Sequence, residues 1–283
     1  MALQEEVNKI KYPIAKNHQY IQILPQFKPI KRGARKKGVE RIYTSPDGKK
    51  KAKIRMWKEL DIADQDLLLT ILAIALPVER GLLLKREEEK YKKLWEDLNT
   101  KGILANYDTI FIQTTLYELA KELGRTLSKT TYQWIKDSLE RLAGTHIIIE
   151  TEEHFYGTNL ISFYLNKKDN KIEIAINPLN ALVLLNDKKG YILHNRKERI
   201  LLKGDVSKAL HAVLVGLVNP KSSRILKLDV LVEKVYLTKI EKMSSQERKD
   251  SRKAIKRAIE KLNLLENWKV IAYENNTFKI ERI

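Results

Sequence analysis

The chain has 283 residues, 43% of them hydrophobic, which is enough for two separately cored domains and too apolar for a chain disordered throughout. Its 54 Lys and Arg residues against 36 Asp and Glu give a formal charge of +18, which favours polyanions, with nucleic acid ahead of an anionic membrane surface. The absence of cysteine excludes disulfides, thiolate chemistry and cysteine-based zinc fingers, and the lack of a secretory signal or membrane-length apolar run predicts a cytoplasmic protein with no membrane association.

Residues 1–38 show no clean periodicity and end in the basic run Lys31-Arg32-Gly33-Ala34-Arg35-Lys36-Lys37, so they read as a basic, partly disordered extension. From residue 28 to 58 there are 13 Lys or Arg residues against two acids. Within this stretch, residues 39–44 and 49–56 flank Ser45-Pro46-Asp47-Gly48, whose Pro and Gly fit the second and fourth positions of a type I turn. A basic hairpin is expected there, either a clamp on a DNA backbone or a solubilising edge.

Residues 61–76 read as a helix opened by Asp61 and Asp64 and closed by Pro77. Residues 86–99, with Tyr91, Leu94 and Leu98 on one face, predict another. A short strand over 110–112 precedes a helix over 116–123, which stops at Gly124, and a second helix over 130–142. The period then becomes sheet-like, with strands over 146–150, 160–165 and 171–176 and turns at 156–159 and 167–170. Helix, strand, helix, turn, helix, hairpin is the order of a winged helix-turn-helix domain.

An apolar segment beginning at Asn177-Pro178 fades by residue 190, which places the first domain over 39–190 and a second over 191–283. The second half repeats the order. Residues 200–202 are strand-like, 205–218 form a helix capped by Asp205, 225–228 a strand, and 229–236 a helix capped by Asp229. Residues 245–262 form a long helix with Ser244 and Glu247 as a capping box, and strands 269–273 and 277–282 close through Glu274-Asn275-Asn276. The fold class expected is α+β, two tandem winged helix-turn-helix domains with a basic extension and hairpin.

The 245–262 helix carries the sharpest chemical pattern. At about 100° per residue, Ser251, Ile255, Ala258, Ile259 and Leu262 share one side, Lys249, Lys253, Lys256 and Arg257 lie largely opposite, and Arg252 flanks them. Such a helix buries one side and offers cations to a major groove, where Arg reads guanine and Lys neutralises phosphate. In the 130–142 helix, Thr130, Gln133 and Lys136 point away from Ile135 and Leu139, with Lys129 just before it; Gln133 suits adenine. Trp134 is expected to pack against the protein. Of the loops, Lys167 and Lys168 are candidates for phosphate, and Asn275 for a groove contact beside its turn-forming role.

No phosphate-binding loop, HExxH pair or GxSxG elbow is present. His18, His146, His154, His194 and His211 include no pair separated by one residue, and Asp169 with Glu173 flank a turn where surface acids are routine. No enzyme activity, metal or cofactor is expected.

The stretches Leu116-Tyr117-Glu118-Leu119-Ala120-Lys121-Glu122-Leu123-Gly124 and Ile135-Lys136-Asp137-Ser138-Leu139-Glu140-Arg141-Leu142, then Asn177-Pro178-Leu179 and a helix ending at Asn219-Pro220, fall in the order seen in replication protein C of the IncQ plasmids, which this chain resembles over residues 39–283. The resemblance implies two winged-helix domains that bind direct repeats (iterons) beside an AT-rich region and prepare an origin for a separately encoded helicase and primase. It assigns Thr130, Gln133 and Lys136 to the first recognition helix and Lys249, Arg252, Lys253, Lys256 and Arg257 to the second. The Lys-rich hairpin and very basic second helix depart from the family, so base preferences do not transfer. The function expected is sequence-specific binding of double-stranded DNA at origin repeats, with a monomer on each asymmetric site. A transcriptional regulator of the same architecture and a protein-binding adaptor are the alternatives.

Overall fold

The computed structural model describes residues 10–283 apart from 32, 78, 85–88, 167, 169, 170 and 186–189. The chain opens with β1 (Ile14–His18) and α1 (Gln19–Ile23), followed by β2 (Lys37–Thr44) and β3 (Lys51–Lys58). Next come α2 (Ile62–Ala75), β4 (Leu82–Leu84), α3 (Lys92–Glu96), β5 (Thr109–Thr115), α4 (Leu116–Glu122) and α5 (Lys129–Ala143). Strands β6 (Thr145–Glu150), β7 (Phe155–Asn159), β8 (Ile161–Asn166) and β9 (Lys171–Ile176) lead to α6 (Pro178–Leu185). The second half comprises β10 (Tyr191–Asn195), α7 (Arg196–Leu201), α8 (Asp205–Leu217), β11 (Ser222–Lys227), α9 (Leu228–Tyr236), α10 (Ser245–Leu262), β12 (Trp268–Tyr273) and β13 (Thr277–Arg282). The fold is mixed α+β.

The two halves share one plan. In the first, the strand before the paired helices (β5) joins the last hairpin in the order β5-β9-β8; in the second, β11 does so in the order β11-β13-β12. All these neighbours are antiparallel. The first half adds a second hairpin, β6–β7, which pairs through β6 with β3 to give the sheet β2-β3-β6-β7. The basic hairpin is thus built into the first half: Ala52, Ile54 and Met56 enter the core while Lys51 and Arg55 alternate outward. Its turn forms as the sequence predicts, with Gly48 N–H donating to the Ser45 carbonyl at 2.9 Å and Gly48 at φ +73°.

Apart from Thr70, helix α2 is apolar all round from Leu67 to Ala75, and accordingly lies at the centre of the larger core. Its amino end is a capping box in which Asp61 accepts from Asp64 N–H and Asp64 from Asp61 N–H. A second core joins α8, α9, α10 and the last hairpin, and Ile62 at the start of α2 belongs to it.

Several expectations are corrected. The segment read as an extension contains β1 and α1, because buried Ala15, Asn17 and Ile21 bind it to the body and β1 pairs with β10. Of the helix expected over 86–99, residues 86–88 lie outside the described residues and the rest forms a 3-10 turn at Glu89–Tyr91 and then α3, with Leu94, Trp95 and Leu98 docked on a small core under β5. Residues 156–159 are strand, not turn; the chain reverses instead at 151–154, where Thr151 and His154 bond to each other. Gly157 permits this, since a Cβ there would lie 3.0 Å from His146 Nε2. Residues 200–202, expected as strand, end and follow α7, which Asn195 caps. Asp205 and Asp229 lie inside the first turns of α8 and α9, whose N-caps are Gly204 and Lys227. Among the described residues, no helix is long and apolar enough to cross a membrane.

Candidate nucleic-acid interface

Helix α10 starts at a capping box: Glu247 N–H donates to Ser244 Oγ at 3.2 Å and Ser244 N–H to Glu247 Oε2 at 2.8 Å. Its buried residues are Ser251, Ile255, Ala258, Ile259 and Leu262, the face expected from the sequence. Lys249, Lys253, Lys256 and Arg257 are exposed on the open side, together with half-buried Arg248. The helix carries seven cations and three acids. Two of those acids are engaged locally, Glu247 in the cap and Asp250 with Gln246 at 3.0 Å. Arg252 is held differently. Its guanidinium makes two 2.7 Å bonds to the Asp229 carboxylate on α9, which hold that carboxyl below its ordinary pKa. Arg252 therefore braces the two helices, while its neighbours face solvent.

Helix α5 is capped by Ser128, whose Oγ accepts from Thr131 N–H at 3.2 Å. Lys129, Thr130 and Gln133 are exposed near its amino end, and Lys136 is half-buried one turn on. The Gln133 amide donates to Asp137 at 2.8 Å, a bond that reading a base would replace. Trp134 packs on the first core with the Arg125 guanidinium 3.6 Å from its ring centroid, in line with the packing role expected for it. The opposite side of α5 is fixed by charge. Arg141 donates to Asp64 at 2.8–3.2 Å, Ser138 Oγ to the same carboxylate at 2.6 Å, and Arg35 to it at 2.7 Å. Burial alone would raise the Asp64 carboxyl; Arg141, Ser138 and Arg35 outweigh it and hold the pKa below its ordinary value.

Internal pairing also takes up part of the basic stretch over residues 28–58. Arg35 is spent on Asp61 and Asp64, while Lys28 and Arg41 reach Glu59 at 2.7 and 2.6 Å. Arg55 meets Glu40 at 3.0 Å, whereas Lys49 and Lys51 are exposed at the hairpin end. Of the loop residues, Lys168 is exposed between β8 and β9, with its N–H bonded to Asn166 at 2.9 Å. Lys167 and Asp169 lie outside the described residues. Glu173 accepts from Gln113 at 3.0 Å. Asn275 and Asn276 both have positive φ, +57° and +54°, and with Glu274 form the three-residue reversal between β12 and β13, with Asn275 exposed.

Asp64 and Asp229 were expected only as helix-start residues, and the pairing of Asp64 with Arg35 and Arg141 and of Asp229 with Arg252 was not foreseen. Their partners lie 23 to 77 residues away, so no local pattern marks them.

A model of the replication protein C family matches residues 13–283. The chain belongs to that family. The resemblance carried by the 116–124 and 135–142 stretches is thereby borne out, and it extends to the first strand. No curated protein sequence matches the chain. Among solved structures, the replication protein C chain is similar to domains 2 and 3 of RctB, at 12% identity and a TM-score of 0.53 over 90% of this chain and 94% of that one. It is also similar to the Pi initiator protein crystallised in complex with iteron DNA, at 11% identity and a TM-score of 0.52 over 96% and 98%. At such identities the likeness is one of fold.

Proposed function

We propose that this replication protein C chain is a non-enzymatic initiator of plasmid replication that binds double-stranded DNA at direct repeats (iterons) of an origin. In this reading each half is a winged-helix domain, with α5 and α10 as the reading helices and the β8–β9 and β12–β13 hairpins as wings. The observation that carries it is the division of α10. One side is sealed into a core and the other presents Lys249, Lys253, Lys256 and Arg257 together. In the same topological place, α5 offers Lys129, Thr130, Gln133 and Lys136. The Pi initiator, a fold neighbour crystallised on iteron DNA, supports the choice of ligand.

Cations on α10 would neutralise phosphates and Arg257 would take a base or backbone position, while the amide of Gln133 would select adenine. Because the two halves differ in sequence, the site is an asymmetric repeat occupied by one protomer. Bending of soft AT-rich steps opens the duplex without a catalytic residue, metal or cofactor. A separately encoded helicase and primase would then load in the cytoplasm. The test is selection of bound fragments from a random duplex library, followed by footprinting and titration. The Lys253→Ala, Lys256→Ala, Arg257→Ala triple variant should bind the recovered repeat at least about 100-fold more weakly with its fold intact. Unchanged binding would remove α10 from the interface.

A further inference from the structure

The joint between the halves is built from buried charge. On α7, Arg196 is 4% exposed and turned to the first half. It donates to the Glu122 carboxylate at 3.1 Å, to Thr70 Oγ1 at 3.0 Å and to the carbonyls of Tyr12 and Glu122. One turn on, Arg199 is 2% exposed and donates to Asp66 at 2.6 and 2.9 Å and to Gln65 at 3.2 Å, both on α2. Lys208 of α8 closes on the other Asp66 oxygen at 2.6 Å. Between them, Glu198 faces the second half. It accepts from His211 at 2.8 Å, Asn267 at 2.6 Å and the Trp268 indole at 3.0 Å.

Two further links run beside these. β1 pairs with β10 over five residues, and Gln22 of α1 donates to the Ala212 carbonyl of α8 at 2.9 Å while accepting from His194 at 2.8 Å. The cavity among Asp66, Glu122, Arg196, Arg199 and Lys208 is about 20 Å³, the room of a single water. A joint with six buried or half-buried charges, each satisfied, has few alternative arrangements. Any rotation of one half on the other would leave a desolvated charge unpaired.

We propose that α7 is a register device: Arg196, Glu198 and Arg199 are positioning residues that lock α5 and α10 in one relative placement, so that the protein reads the spacing between the two contacted segments of its repeat as well as their sequence. This rests on α5 and α10 being the reading helices. An arrangement joined by a flexible tether would tolerate changed spacing. A locked one would not, because one inserted base pair moves the second segment by about 3.4 Å and turns it by about 35°.

Two measurements test it. The duplex recovered by selection is given one to four extra base pairs between its two protected segments. Binding should fall at least about 100-fold at the first insertion; affinities within about threefold of the parent would overturn the proposal. Protection of one segment only on the parent duplex would overturn the two-helix reading, and the register proposal with it. Independently of DNA, the cysteine-free chain takes spin labels at Glu140→Cys on α5 and Glu260→Cys on α10, both exposed. A narrow distance distribution, identical without DNA and with the parent duplex, is expected, and an Asp66→Asn, Arg199→Gln variant should keep its centre but broaden it. A broad or multimodal distribution in the unsubstituted joint would overturn the lock, whether or not the double variant folds.

Discussion

His18, His194 and His211 each sit among packed groups that disfavour the imidazolium. Burial, then Lys50, lowers His18 to about 4. Burial first, with Arg199 next, takes His194 well below its ordinary value, and burial lowers His211 despite the opposing pull of Glu198. Since each folded value lies below the unfolded one near 6.5, the unfolded chain takes up protons first as pH falls. Their contribution is therefore complete above about pH 6.5 and is lost below it, at about 1.4 kcal/mol per pH unit for each histidine kept neutral. Urea midpoints measured at pH values of about 7.5 and about 5.5 should drop before the carboxylates titrate, and His211→Gln should shallow that slope. A midpoint constant over the interval would show that these imidazoles protonate freely in the folded state. None of this is visible in the sequence, where the five histidines are scattered. Their burial comes from which elements close over them.

Helices and hairpins were far more legible. The capping residues Ser244 and Glu247, the 3.6-residue spacing of Ile255, Ile259 and Leu262, and the Ser45-Pro46-Asp47-Gly48 turn each act within a few residues, so local sequence specifies them. Replacing Ser244 by Ala removes the acceptor for Glu247 N–H and should destabilise α10 by about 1 kcal/mol. The change is readable as a lowered thermal midpoint of the second half, with Ser244→Asp restoring it. No change on removing Ser244 would mean that packing alone holds the helix start. Where strand pairing or long-range charge decides, local sequence does not specify the element. Residues 156–159 look like a turn but form a strand because β6 offers an edge, and residues 200–202 look like a strand but end a helix because Arg196 and Arg199 are drawn to opposite charges on the first half.

At the scale of the molecule, the formal charge of +18 does not translate into eighteen available cations. Lys28, Arg35, Arg41, Arg141, Arg196, Arg199 and Arg252 are held in internal ion pairs, whereas cations on the open faces of α10 and α5 and at the tip of the β2–β3 hairpin stay exposed to meet a polyanion. If about six phosphates are neutralised, log affinity should fall against log salt with a slope near −5, a loss of about 10³-fold between about 50 and about 200 mM. A flat titration would show that those faces do not lie on the backbone.

Composition and periodicity by themselves determined a basic α+β chain, the duplicated order of helices and hairpins, and the two-sided character of α10, because each depends on residues within one or two turns of each other. Tertiary structure alone decided which cations remain for a partner, which strands share a sheet, and how the halves are joined. Those outcomes depend on desolvated charges such as Asp64, Asp66 and Glu122, whose partners lie 29 to 142 residues away and are chosen only when the chain has packed.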